Sequence, residues 1–476
     1  MRYFLVLIFV CVFTFKAYAK SIIIDDEIES TLLHIAQPIF KAAGLEYQGL
    51  KVIVIDDTSL NAFVNNNKMI FVNTGTLTFS DDPDVIAGVI AHECGHIALG
   101  HLADRRDRLK DATRSMMSSM LVGVLAGLLT KEPGVAVGGS TIAGHAINMD
   151  LLKYSRAQEA QADAMAVKYL AKVHVSTGGL IKLLKYFNQN ERTFFKEDSP
   201  YLRTHPTSRD RIEDLKASIA NTMVVEGTTG GGNDLMAPKH QTSRDRVADG
   251  KPHPRGIAIT REALRERYKM MVAKIIGFTE PFEKVRRKYG VKGGSTLSEE
   301  GTYALSIAHF KKGDVSKALT LLDILISKSQ GLNPYFLELK GQFLFESGKV
   351  ELAIPYYEKA LKLRPASDIF KVELAYALLT HSKKENVNRA LPLLQTAIEQ
   401  DVDNMIAWQY LGVALKTLRL NNESSLAFAK AAILSGDRVT AQKFLNSIKQ
   451  ANGVFPNFKP FYRNALESVL TDINEG

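Results

Sequence analysis

The chain has 476 residues, 46% of them hydrophobic and 23% charged, with a formal net charge of +9. That length is too great for one core and indicates roughly two to four domains. The composition is ordinary for globular protein, which excludes a low-complexity or disordered class. Basic residues gather between Lys239 and Lys288; a solvated helical face or a linker accounts for them, and nucleic acid is not expected as a partner.

The chain opens "MRYFLVLIFVCVFTFKAYAK". Arg2 supplies a positive start, Phe4 to Phe15 an apolar run, and Ala17-Tyr18-Ala19 a small-x-small cleavage pattern. This predicts an export signal, residues 1–19, removed after Ala19. A retained anchor is the alternative, but the run is short against the ~20 residues a bilayer span needs. With the signal gone, Cys94 is the remaining cysteine, so no intrachain disulfide can form. In an oxidising compartment, where paired cysteines are usual, the fold must then rely on core packing and metal.

Residues 25–44 carry apolar side chains at helical spacing (Ile28, Leu32, Ile35, Phe40) and end on a glycine. "LKVIVIDD" reads as a strand, and "NAFVNNNKMIFVNTGTL" (61–77) as two strands about an Asn-rich turn. Residues 83–103 are helical and include "VIAHECGHIALGH". Residues 115–147 form two small-residue apolar arms about a Lys-Glu-Pro-Gly turn. A buried or surface-docked helical hairpin is expected there, with a membrane-dipping hairpin as the alternative. Residues 153–190 are helical, and "YLRTHPTSRDRIEDL" (201–215) is a loop followed by an amphipathic helix. From 223 to 258 the sequence loses periodicity and reads as a flexible linker; 259–298 supplies connecting helices.

Beyond 299 the chain repeats. In 341–365, Gly341, Ala353, Tyr357, Ala360 and Pro365 stand at offsets of 0, 12, 16, 19 and 24. Ala375 and Ala397 return 34 and 37 residues on, and Gly412 and Ala431 another 37 and 34. This is the tetratricopeptide period, and three or four copies can share one core. The repeats span 299–450, with a C-terminal helix or tail over 451–476.

The chemistry lies in "VIAHECGHIALGH". On a helix His92 and His96 stand about 40° apart, so both imidazoles can reach one ion. Glu93 lies beside them, placed to take a proton from water at the metal rather than to bind it. His101 would lie about 140° from His96 and Cys94 about 200° from His92 on a continuous helix, so His101 is expected to be a structural or surface histidine and Cys94 a small buried hydrophobe. A third ligand must come from elsewhere. "YSRAQEAQADAMAVKYL" (154–170) offers Glu159 and Asp163 on one helix face. Glu159 would bind the ion, and Asp163 would accept the N–H of a ligating histidine.

Together "VIAHECGHIALGH", "YSRAQEAQADAMAVKYL", "NAFVNNNKMIFVNTGTL" and "THPTSRDRI" resemble the M48 family of zinc metallopeptidases over about residues 25–220. The signal and the repeats resemble its periplasmic branch, which serves outer-membrane β-barrel assembly and quality control. The resemblance implies an α+β zincin-type metallopeptidase domain, residues 20–222, followed by an all-α tetratricopeptide-repeat solenoid. It implies one zinc ion per chain on His92, His96 and Glu159, Glu93 as general base, and Asp163 as an assisting acid. It brings His205, in Thr-His-Pro, near the zinc, assisting catalysis or filling the fourth metal position and keeping the site latent. Arg156 and Arg209 match its flanking arginines. The implied activity is endopeptidase cleavage of unfolded or misassembled polypeptides in the periplasm, with envelope assembly machinery met through the repeats. Peripheral membrane contact is an open alternative. A substrate backbone is expected to add as a strand along Met69–Thr74. The rival reading is a chaperone or interaction module whose protease site is latent.

Overall fold

The computed structural model describes residues 22–45, 49–65, 69–101, 154–190, 201, 205, 209–228, 259–291, 296–381, 383–448 and 455–474. The expected signal, the hairpin expected at 115–147 and residues 229–258 of the expected linker lie outside these residues, while residues 223–228 of that linker instead continue a helix that ends at Thr228. Among the described residues no helix is long and apolar enough to cross a membrane.

The N-terminal part is a small sheet packed on helices. Strands β1 (Ile22–Ile23), β2 (Val52–Ile55), β3 (Ala62–Val64) and β4 (Ile70–Asn73) lie in the order β1-β2-β4-β3. β3 and β4 pair antiparallel, with Phe63 opposite Phe71, as their flanking of the Asn-rich turn predicts. β2 and β4 pair parallel, with Val54 opposite Val72. This corrects the expected role of Met69–Thr74. Its strand is bonded on both sides, Thr74 already begins helix α2 (Thr74–Thr78), and the edges of the sheet belong to β1 and β3. Alternate side chains of β3 and β4 (Ala62, Val64, Ile70, Val72) enter the core, the half-buried pattern expected of a one-sided sheet.

Helix α1 (Asp26–Ala42) starts where the Asp25 carboxylate accepts the Ile28 N–H at 2.9 Å, with acids in its first turn and Lys41 in its last. Helix α3 (Pro83–Ala98) is capped by Asp82, and Pro83 takes the first position. Every residue from Pro83 to Ile97 is buried, so α3 is the central helix of this part. Helix α4 (Arg156–Lys172) opens on a capping box between Ser155 and Gln158. Helix α5 (Gly178–Gln189) and helix α6 (Arg209–Thr228) complete the layer around α3 and α4.

Helix α7 (Arg261–Thr279) joins the two halves of the chain. Tyr268, Met271, Val272, Ile275 and Ile276 enter the same apolar core as α1 and α3. Tyr268 Oη donates to the Leu77 carbonyl at 2.9 Å. Each such side chain contributes roughly 1.5–3 kcal/mol of apolar burial. The basic residues of this stretch are largely engaged: Arg261 bonds Asp84, and Arg267 donates to Ser30 at 2.5 Å and to Tyr335 at 2.6 Å. Lys274 is buried beside Asp25 at 2.5 Å, Glu27 at 3.5 Å and Glu338 at 3.6 Å. After α8 (Phe282–Tyr289) come antiparallel helix pairs: α9 (Glu299–Lys311) with α10 (Val315–Lys328), α11 (Pro334–Glu346) with α12 (Val350–Leu363), α13 (Asp368–Thr380) with α14 (Lys384–Gln400), and α15 (Met405–Thr417) with α16 (Asn421–Leu434). Helices α17 (Arg438–Ile448) and α18 (Pro460–Asn474) close the stack. The small residues of the period, Ala353, Ala360, Ala375, Ala397 and Ala431, are buried where helices cross. The molecule is therefore a small α+β part followed by an all-α solenoid.

Candidate metal centre

Helices α3 and α4 cross at Gly95 and Ala162, with room for no side chain between them. That contact sets Glu159 and Asp163 opposite His92 and His96. The loop preceding α6 brings His205 over the same point, where its ring stacks on Tyr201 at 4.8 Å. The result is four buried side chains, His92, His96, Glu159 and His205, each offering one donor atom within 4.8 Å of all the others.

The spacing suits a metal. His92 Nε2 and His96 Nε2 are 3.1 Å apart. His92 Nε2 lies 3.5 Å from Glu159 Oε2, and His96 Nε2 lies 3.4 Å from Glu159 Oε1. Donors at the corners of a tetrahedral zinc site with bonds of about 2.0–2.1 Å stand about 3.3 Å apart. Two imidazole nitrogens and a carboxylate turned to one point suit a shared cation. The donor set therefore fits zinc.

Electrostatics favour the ligand forms of His96 and Glu159 but not that of His92. Burial pushes His96 down to about 3, which keeps its imidazole neutral. Glu159 is held well below the usual carboxylate range: burial opposes its charge, but His205 and Arg211 outweigh it. Burial also opposes charge on Asp163, and the Arg211 guanidinium overcomes it. His92 is displaced upward, its hydrogen bond to Asp163 prevailing over burial. Burial raises Glu93, whose carboxylate is 0% exposed and has no hydrogen-bond partner among the described residues. His205 Nε2 lies 3.6 Å from Glu93 Oε1. A buried acid left without donors is suited to receive a proton from something that enters the site.

The ligands are held from behind. Asp163 Oδ1 lies 2.8 Å from His92 Nδ1. Arg211 spans both acids, reaching Glu159 Oε2 at 2.7 Å and Asp163 Oδ2 at 2.8 Å. Asp163 has both oxygens engaged, by Arg211 and beside His92 Nδ1. His205 Nδ1 lies 2.9 Å from Glu159 Oε1. Tyr154 stacks on His96 with centroids 3.7 Å apart.

All six predicted site residues, His92, Glu93, His96, Glu159, Asp163 and His205, meet in this one buried cluster. Arg156 does not join it and is exposed at the start of α4. Arg211 was missed. It stands two residues after Arg209, and the alternation Arg-Asp-Arg at a helix start was the available signal. Cys94 is fully buried, and burial pushes its thiol upward, as expected of a small hydrophobe. His101 is buried, as a structural histidine would be, but not where a continuous helix would place it. The helix ends at Ala98, Gly100 takes a φ of 73°, and the chain doubles back so that His101 is buried against His96.

Residues 25–219 match peptidase family M48, and residues 303–368 match the tetratricopeptide repeat. The Escherichia coli metalloprotease YcaL is 31% identical over 188 residues, which cover 38% of this chain and 68% of YcaL. The chain belongs to peptidase family M48. As an M48 peptidase it is a metalloendopeptidase, with a tetratricopeptide region suited to protein–protein contact. This M48 peptidase also resembles the beta-barrel assembly-enhancing protease of Yersinia pestis, 21% identical over 80% of this chain and 71% of that protein. A Vibrio cholerae counterpart matches at 24% identity, over 34% of this chain and 33% of its own length.

Proposed function

We propose that this M48 peptidase is a zinc endopeptidase of the cell envelope that degrades misfolded or misassembled proteins, with outer-membrane β-barrel precursors as its clients and a share in their assembly. The observation that carries the reading is the convergence of His92, His96 and Glu159 on one point beside the unpartnered carboxylate of Glu93. Similarity over most of the chain to proteins named for β-barrel assembly supports the client class. The export signal expected from residues 1–19 supports a periplasmic location. The repeats would engage envelope assembly machinery or the client itself.

His92, His96 and Glu159 would hold the zinc. When bound, the ion supplies Lewis acidity for the scissile carbonyl and acidifies water. Glu93 accepts the proton of the attacking water and returns it to the leaving amine. Asp163 and Arg211 orient His92 and keep Glu159 ionised. The substrate backbone adds along β3, the edge strand nearest α3, which suits extended, β-forming clients.

A second reading, a chaperone or interaction module with a latent protease site, is favoured by one observation. His205 sits among the donor atoms and closes the fourth side of the site. Cleavage of casein by protein from Lys20 onward, with zinc counted, separates the readings. Zinc near one per chain and cleavage abolished in Glu93→Gln are expected. Zinc with no cleavage in wild type and in His205→Ala would favour the chaperone, and no zinc after reconstitution would remove the enzyme reading.

A further inference from the structure

The two motif histidines are held from behind by different groups. His92 Nδ1 lies 2.8 Å from Oδ1 of the arginine-paired Asp163. Among the described residues no carboxylate faces His96 on that side. Its Nδ1 lies 2.9 Å from Nδ1 of His101, whose Nε2 lies 3.2 Å from Gln161 Oε1. His96 is 0% and His101 3% exposed, while Gln161 stands at the surface.

Two ring nitrogens at hydrogen-bond distance need one proton and one lone pair between them. His96 Nε2 faces His92 Nε2 and Glu159, the point where a metal would sit, so its lone pair belongs there and its proton belongs on Nδ1. His101 Nδ1 must then accept, and its own proton must lie on Nε2. The group facing Nε2 is an amide oxygen, which accepts it. Each link agrees with the next, from the surface amide to the metal-facing nitrogen. The backbone serves the same arrangement. Gly100, at a φ of 73°, turns the chain after the helix and lays the His101 ring against His96. On a continuous helix His101 would point about 140° away.

We propose that His101 is a positioning residue for the metal: by accepting the Nδ1–H of His96 it holds that ligand in the tautomer and orientation that direct Nε2 at the ion, with Gln161 fixing the polarity of His101. The proposal rests on His96 being a metal ligand. It gives the site one ionic support, at His92, and one neutral support, at His96. The neutral support adds no charge to a cluster that already holds three carboxylates.

The test is zinc affinity of the full chain from Lys20 onward, read by competition with a chromophoric chelator. In His101→Leu, which keeps bulk and removes the acceptor, zinc binding weakens 10- to 100-fold. In His101→Asn, whose Oδ1 falls where Nδ1 was, affinity stays within about threefold of wild type. A packing role predicts the reverse ranking, because the smaller polar asparagine fills the site less well. Leu equal to wild type, or Asn as weak as Leu, overturns the proposal. His96→Ala is the control for the underlying reading: wild-type zinc affinity there would show that His96 is no ligand at all. Should the Leu variant fail to fold, 15N spectra of histidine-labelled, zinc-loaded wild type decide. A proton on His96 Nδ1 and on His101 Nε2 supports the proposal, and a proton on His101 Nδ1 overturns it.

Discussion

Gly95 lies directly against the backbone of Ala162, where a Cβ on Gly95 would stand 2.9 Å from both the Cα and the carbonyl oxygen of Ala162. This contact sets the distance between the helix that carries His92 and His96 and the helix that carries Glu159. Gly95→Ala must push α4 outward. The expected result is a loss of about 1–3 kcal/mol in stability together with weaker zinc retention. Denaturant unfolding and metal content of the same preparation check it. A stable variant with full zinc would show that the crossing does not control the site.

Glu93→Gln keeps the shape of a buried side chain and removes its capacity to take a proton. Peptide cleavage should fall by at least about 10²-fold, with zinc content unchanged. Because Glu93 carries burial without a hydrogen-bond partner, the midpoint of thermal unfolding should hold steady or rise. Cleavage and unfolding measured side by side distinguish loss of a base from loss of the fold.

Arg211→Leu would leave Glu159 and Asp163 buried without their cation. Breaking a buried ion pair on one side costs about 3–5 kcal/mol, so the zinc-free variant should unfold well below wild type. Zinc restores positive charge beside Glu159, so the gap should narrow on metal loading. Lysine lacks the fork that spans both acids and should rescue only in part. A gap indifferent to zinc would separate Arg211 from the metal site.

His205→Ala removes the side chain that closes the fourth face of the donor cluster. Zinc should remain, held by His92, His96 and Glu159, and casein cleavage should rise. Unchanged zinc with lower cleavage would instead assign His205 a part in the reaction.

Glu338 faces Lys274 in the contact between the α+β part and the repeats, with Asp25, Glu27 and Tyr303 around the same lysine. Burial raises Glu338 from 4.5 to about 7. The folded state therefore holds this proton at a pH where the unfolded chain has lost it. Its contribution to stability is complete below the unfolded value and is lost as pH rises through about 7. Glu338→Gln should flatten this part of the stability profile, improving relative to wild type as pH rises. Glu27 and Glu373 shift in the same direction, so some slope remains. Thermal midpoints across that range provide the check, and parallel profiles would refute it.

Most of the metal cluster was legible because its residues obey helical spacing within continuous helices, whereas His205 came only from the family resemblance. His92 and His96, and Glu159 and Asp163, are i, i+4 pairs whose faces follow from 100° per residue. The same arithmetic misplaced His101, because it fails where a helix stops, and Gly100 stops this one. Met69–Thr74 was misread as an open edge for a different reason. Its neighbour β2 is a parallel partner across a crossover, and nothing in a strand's own residues names a non-local neighbour. Arg211 needed tertiary structure to separate it from Arg209. The repeats were legible from their period, but the way α7 joins them to the first core was not, since Tyr268 and Ile275 look like residues of any amphipathic helix.

That junction has a mechanical consequence. Tyr268, Met271 and Ile275 of α7, with Ala304, Leu305 and Leu321 of the first repeat pair, belong to the same core as the helix that bears His92 and His96. The solenoid is thus cantilevered from the part that bears the metal cluster: the first repeat pair cannot shift without disturbing the packing behind His92 and His96.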